Sequence, residues 1–223
     1  KPEYSPPNLN TQGIKTQPDW LFTFFKKPSI IRPNLQVRMP SFTMFNDDDW
    51  NSVIGAFQHM ENHSLSFETA HNINKNTVEF KAADKLHEFG ACNNCHFYGE
   101  VKPTQGPETW APNLALTKER LRHDWVIEWL RNPQEIMPGT KMPAPYLPTS
   151  DLLSADGAVD IWGKYLVDLN GDNDLMLKGL TDYIYTIPGK IDISDYVREY
   201  FRVNGYDFDS DDDEDEDDWD DDW

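Results

Sequence analysis

Cys92-Asn93-Asn94-Cys95-His96 is a C-x-x-C-H run, and it holds both cysteines of the chain. Two thiols at this spacing suit the two vinyl groups of a porphyrin, and a histidine directly after them reaches the iron as an axial ligand. The chemistry such a run supports is covalent attachment of a c-type haem. The protein then supplies binding, orientation and electrostatics. Other uses of the pair are weaker. A zinc site needs a second ligand pair at zinc spacing. His59, His63, His71, His87 and His123 are scattered, and no H-x3-5-H pair follows the cysteines. A thioredoxin-like redox pair needs a βαβ setting, and no strand pattern flanks the run. A disulfide inside so short a segment would be strained and would close almost no loop.

A methionine commonly fills the opposite axial position. The stretch Ile136-Met137-Pro138-Gly139-Thr140-Lys141-Met142-Pro143-Ala144-Pro145 offers two. Its prolines fix φ and push the residues before them toward extended geometry. A stiff loop of this kind can hold a weak thioether ligand in place. Met142 follows His96 by 46 residues, enough chain to pass round a haem edge. Met137 is the competitor, in a similar Met-Pro setting. The plain alternative for either is core filling.

These segments, with Ala111-Pro112-Asn113-Leu114 between them, resemble a class I cytochrome c domain over roughly residues 74–188. The resemblance implies a small helical fold around a covalent haem c, with its first and last helices crossing beside the haem. It implies that His96 and Met142 are the axial ligands and that Cys92 and Cys95 carry the thioethers. It also implies that Pro112 offers its carbonyl to His96, fixing the ring and its tautomer. Ala111 stands where glycine is commoner in this family.

Helices must position these groups, and the periodicity supplies them. Residues 75–89 place Val78, Ala82, Leu86 and Phe89 near one face, with Gly90 as a stop. Thr117 caps a helix bearing Leu121, Trp125, Val126, Trp129 and Leu130, which ends before Pro133. Asp172 or Asn173 caps a last helix with Met176, Leu180, Tyr183, Ile184 and Ile187, ended by Pro188-Gly189.

The chain also repeats itself at an offset of 105 residues. Pro2-Glu3, Pro7-Asn8-Leu9, Asp19-Trp20, Pro28 and Pro33 match Pro107-Glu108, Pro112-Asn113-Leu114, Asp124-Trp125, Pro133 and Pro138. The first copy then runs two residues longer, and Arg38-Met39-Pro40 takes the place of Lys141-Met142-Pro143. A helix over Pro18–Lys27 would bury Trp20, Leu21, Phe24 and Phe25, and Asn51–Met60 would close the copy. Subtracting the offset from Cys92 gives position −13, so the matching cysteine falls outside the chain. The expectation is a later portion, or a processed product, of a longer two-haem protein. Met39 would ligate a second haem attached outside this segment or on another chain, or pack as core.

The expected architecture is therefore mainly α. Residues 1–62 form the later part of a first cytochrome c-like domain, and 63–74 a linker. Residues 75–190 form the haem c domain, and 191–223 an extension ending in a disordered acidic tail. The formal charge is −19, and Asp207–Trp223 holds thirteen acids and no base, leaving −6 elsewhere. Such a tail cannot bury enough surface to fold alone. It can serve solubility, or Trp219 and Trp223 can anchor it on a basic partner. The charge disfavours nucleic acid, and no run approaches the ~18 apolar residues of a membrane span. A first residue of lysine with no leader suits a mature, cleaved chain.

Together these features point to electron transfer rather than enzymatic turnover. With both axial positions filled, as the resemblance implies, the iron would exchange electrons with a redox partner bearing a basic docking surface, or with other subunits of a respiratory or other redox complex. The expected compartment is the periplasm or another extracytoplasmic space. The alternative is a dihaem peroxidase-like subunit with an open or displaceable axial site.

Overall fold

The computed structural model describes residues 8–35, 38–62 and 72–205. The expected acidic tail and most of the expected linker lie outside them. Among the described residues the chain is mainly helical, with isolated bridges and no strand. The first copy contains α1 (Gln12–Lys15), α2 (Pro18–Lys26) and α3 (Asp47–Met60). The second contains α4 (Val78–Phe89), α5 (Thr117–Arg120), α6 (His123–Arg131), α7 (Pro133–Ile136), α8 (Ser150–Leu153), α9 (Ala158–Trp162), α10 (Lys164–Asp168) and α11 (Asn173–Ile184). A final helix, α12 (Ser194–Val203), follows.

Local chemistry sets the ends of the longer helices. Pro18 opens α2 at a position whose missing N–H costs nothing. Asn46 and Asp49 form a reciprocal capping box at the start of α3, and Asp47–Asp49 place three acids against its positive end. The Thr77 hydroxyl accepts the Phe80 N–H at 3.3 Å, and Gly90 caps the other end of α4. Asp172 caps α11 by accepting the Leu175 N–H at 3.0 Å.

Burial departs from the expected stripes in places. On α4, Ala82, Ala83 and Leu86 are buried, whereas Val78 and Phe89 are exposed. Phe89 instead meets Trp162 of α9, with ring centroids 4.6 Å apart. On α2, Leu21 and Phe25 are buried, while Trp20 and Phe24 are half-buried and stacked at 4.9 Å.

The single helix expected from Thr117 to Leu130 is broken at Leu121. The cause is tertiary. Leu121 pairs with Thr16 in an antiparallel bridge between the two copies. The Gln17 N–H donates to the Arg120 carbonyl at 2.8 Å, and the Arg122 N–H donates to the Lys15 carbonyl at 2.9 Å. Each of these residues has its 105-residue counterpart within the same pair of bonds. The helices α1 and α5, and α2 and α6, follow the same offset at both ends. The copies therefore meet about a local two-fold relation, and Leu121 and Arg122 leave helical geometry to make the joint.

Three apolar clusters result. One joins α4, α6, α10 and α11 and holds Leu86, Val126, Leu166, Met176 and Leu180. Another packs Leu21, Phe25, Trp50 and Ile54 in the first copy. The remaining cluster sets Ile193, Val197 and Phe201 of the α12 region against Phe97, Trp110 and Ile30. The helices α4 and α11 cross where a side chain on Gly179 would overlap the Glu79 backbone, so the approach requires glycine.

Candidate functional site

The chain around Cys92 is shaped by its neighbours. Ala91 takes left-handed backbone (φ 48°) and turns the chain out of α4 into a 3-10 turn over Cys92–Asn94. The His96 N–H donates to the Cys92 carbonyl at 2.9 Å. Residues 111–114 then run parallel to 95–97. The Ala111 N–H donates to the Cys95 carbonyl at 2.7 Å, and the Leu114 N–H to the Phe97 carbonyl at 2.8 Å. Pro112 lies between these two bonds and has no N–H of its own. Its carbonyl accepts from His96 Nδ1 at 2.7 Å.

That bond decides the tautomer. Nδ1 carries the proton, so the Nε2 lone pair is available to a metal. Burial lowers the His96 pKa, the Pro112 carbonyl works against this, and His87 adds to the lowering. The ring is therefore neutral at physiological pH, as a metal ligand must be.

His96 faces a cavity of about 660 Å³ that Cys92, Pro112, Met137 and Met142 also line. This is within the usual size of cofactor pockets, roughly 300–1,000 Å³. Met142 is half-buried, its Sδ accepting the Trp129 Nε1–H at 2.9 Å. Its backbone N–H donates to Thr140 Oγ1 at 3.3 Å, which folds the loop back on itself. Trp129 in turn stacks on Trp125 at 5.2 Å, and both line the cavity.

The two thiols differ. Cys92 lines the cavity, and burial pushes its pKa up to about 11. Cys95 lies outside the lining, its Sγ 3.9 Å from Gln105 Oε1. Both thiols are free. Among the described residues no three His, Cys, Asp or Glu side chains converge as a metal-binding group, so the pair lacks the partners that zinc needs.

Met39 stands elsewhere. It packs against the aromatic cluster of the first copy and is absent from the lining around His96.

One supporting residue has no expected role from the sequence. Asn113 is buried, and its side-chain oxygen accepts the N–H groups of Gly99 at 2.9 Å and Ala115 at 3.1 Å. Its amide donates to the carbonyls of Lys190 at 2.8 Å and Ile191 at 3.2 Å. It thus ties the loop carrying Pro112 to the segment after α11. Its recurrence as Asn8 in the Pro-Asn-Leu repeat was the available signal.

No family model matches the chain. No curated protein and no solved structure matches it either.

Proposed function

We propose that this chain is an electron-transfer protein of the cytochrome c type, holding one covalent haem c in the cavity of its second copy. The observation that carries the proposal is the convergence on that cavity of His96 with a free Nε2, the Met142 thioether and Cys92. An imidazole and a thioether beside a thiol from a C-x-x-C-H run make a donor set suited to haem iron; it lacks the oxygen ligands of calcium and magnesium, and among the described residues it is too few for a zinc site. The crossing of α4 and α11, whose residues join the apolar cluster behind Cys92 and Met142, supports a cytochrome c fold.

A haem in this site supplies a reversible one-electron change at iron. The chain's own groups do the rest. Cys92 and Cys95 hold the ring, and Pro112 keeps the His96 proton on Nδ1. Trp129 holds the Met142 sulfur at the cavity wall. A haem held by both His96 and Met142 would leave no side open to substrate and would exchange electrons with a protein partner. The acidic chain calls for a partner with a basic docking patch, or for other subunits of a redox complex, and for salt-sensitive association. Haem attachment of this type places it outside the cytoplasm. Among the described residues no helix is long and apolar enough to cross a membrane.

The test is a visible spectrum of the chain produced with a haem c maturation system, with haem quantified by pyridine haemochrome and intact mass. One covalent haem and a methionine-to-iron charge-transfer band in the oxidised state are expected. Absence of covalent haem defeats the proposal. High-spin iron that takes added ligands readily replaces the carrier role with an open-site enzyme.

A further inference from the structure

Four cations line the same cavity, and three of them, Lys15, Arg32 and Arg120, oppose one another's charge. Lys15 is only 4% exposed and Arg120 8%. Among the described residues no carboxylate forms an ion pair with any of the three. The Arg120 Nε–H is buried without an acceptor, and so is the Trp125 Nε1–H on the same wall. Glu108 and Lys141 also line the cavity, without pairing with these groups. Burial lowers the Arg120 pKa to about 9, with Arg32 adding to the effect. Burial likewise holds Lys15 well below its ordinary range, and both arginines oppose its charge.

The arrangement obeys the two-fold relation between the copies. Lys15 Nζ lies 4.9 Å from the ring centroid of Trp125. The Arg120 guanidinium lies 5.4 Å from that of Trp20. These pairs are counterparts at the 105-residue offset, so each copy lends a cation to the other's tryptophan. Cation–π contact offsets only part of the desolvation cost of a buried ion. A cavity wall with three poorly compensated cations therefore calls for an anion inside the cavity.

We propose that Lys15, Arg32 and Arg120 bind the propionate carboxylates of the haem, so that the first copy supplies two of the three cations that hold the second copy's cofactor. This rests on the haem reading above. Haem is otherwise apolar and brings two carboxylates of its own, which match the unmet donors on this wall. The first copy becomes an electrostatic clamp for its neighbour and raises the reduction potential by opposing the extra positive charge of the oxidised iron.

The test uses the haem-loaded full chain in four variants: Lys15→Met, Lys15→Arg, Arg120→Gln and, as an exposed control, Lys27→Gln. Haem per chain, midpoint potential and the propionate bending mode in resonance Raman are read for each. Lys15→Met and Arg120→Gln should lower the potential and shift the propionate mode, Lys15→Arg should restore both, and Lys27→Gln should change neither. Unchanged potential and propionate mode in Lys15→Met and Arg120→Gln, with haem attached, overturn this proposal and leave the haem reading standing. A wild-type chain without covalent haem removes the haem reading instead. If the shifts appear only with added inorganic phosphate, the cations serve a diffusible anion and the propionate assignment is wrong.

Discussion

Trp20 stacks on Phe24 in the first copy at 4.9 Å, as Trp125 stacks on Trp129 in the second at 5.2 Å. The pairs are counterparts at the 105-residue offset, on helices that share it. They differ in one hydrogen-bond donor. Trp129 gives its indole N–H to the Met142 sulfur, while phenylalanine at position 24 has nothing to give Met39. Around the first pair the core closes on itself: Phe25 stacks on Trp50 at 4.8 Å, and Met39 packs against them. The second pair faces a cavity with His96 in its wall. The same helical frame can thus be filled by its own aromatic rings or kept open for a ligand. The placement of a few polar atoms distinguishes the two.

The largest expected effect separates the copies outright. Replacing Cys92 and Cys95 by alanine should abolish covalent haem, and Met39→Ala should leave the haem content and visible spectrum of this chain unchanged. Intact mass and pyridine haemochrome read both. A change in the iron spectrum of Met39→Ala would mean that the first copy also ligates.

Next comes a largely buried network of the second copy that has no counterpart among the described residues of the first. His123 Nε2 lies 2.7 Å from Asp182 Oδ1, and Lys178 Nζ 2.8 Å from Asp182 Oδ2, whereas the counterpart of His123 is Pro18. Burial alone would lower the His123 pKa, but the Asp182 and Asp124 carboxylates together outweigh it and leave it raised. Burial would likewise raise the Asp182 pKa, and the bonds from His123 and Lys178 leave it lowered. The histidine's contribution is complete below about pH 6.5 and fades as pH rises through its folded value. The aspartate's is present above about pH 3.9 and fades as pH falls. Asp182→Asn should therefore cost about 3 kcal/mol near pH 6, measured by urea unfolding. It should also flatten the loss of stability above about pH 6.5. A variant with the wild-type pH profile would remove the network from the stability difference between the copies.

A smaller pair of effects tests what the copies share. Gly13 meets the Phe57 backbone of α3 in the first copy, and Gly179 meets the Glu79 backbone of α4 in the second. Alanine at either position should cost about 2 kcal/mol through overpacking, read from the denaturation midpoint. Marked inequality would show that one crossing has slack. The smallest effect turns the second copy toward the first. Trp129→Phe should leave the fold intact and cost Met142 ligation about 1 kcal/mol. The expected sign is easier displacement of methionine by added imidazole, followed by loss of the charge-transfer band.

Much of this was legible in the residues, and the failures share causes. Caps and periodicity located α2, α4 and α11 to within a few positions because each is long enough to show a face. The helices α8, α9 and α10 are four or five residues long, too short for a period to show. The break at Leu121 was invisible because its cause lies 105 residues away in Thr16. Cys92, His96 and Met142, singled out by their motifs, line one cavity, and so does Met137. The cations of the wall went unread, since Lys15, Arg32 and Arg120 look like surface residues until the copies are brought together.

The helix α12 has one further consequence. Its Ser194 hydroxyl accepts the Ile30 N–H of the first copy at 2.8 Å in a buried setting. Its apolar face covers Phe97, the residue after His96. Neither copy can open without uncovering that shared cluster, so the described parts of the chain should behave as a single cooperative unit rather than two foldons. The Ile30 amide then becomes a reporter. Its hydrogen should exchange only on global opening, with the same opening free energy as amides deep in α11, and a haem held in the second copy as proposed would slow exchange in the first.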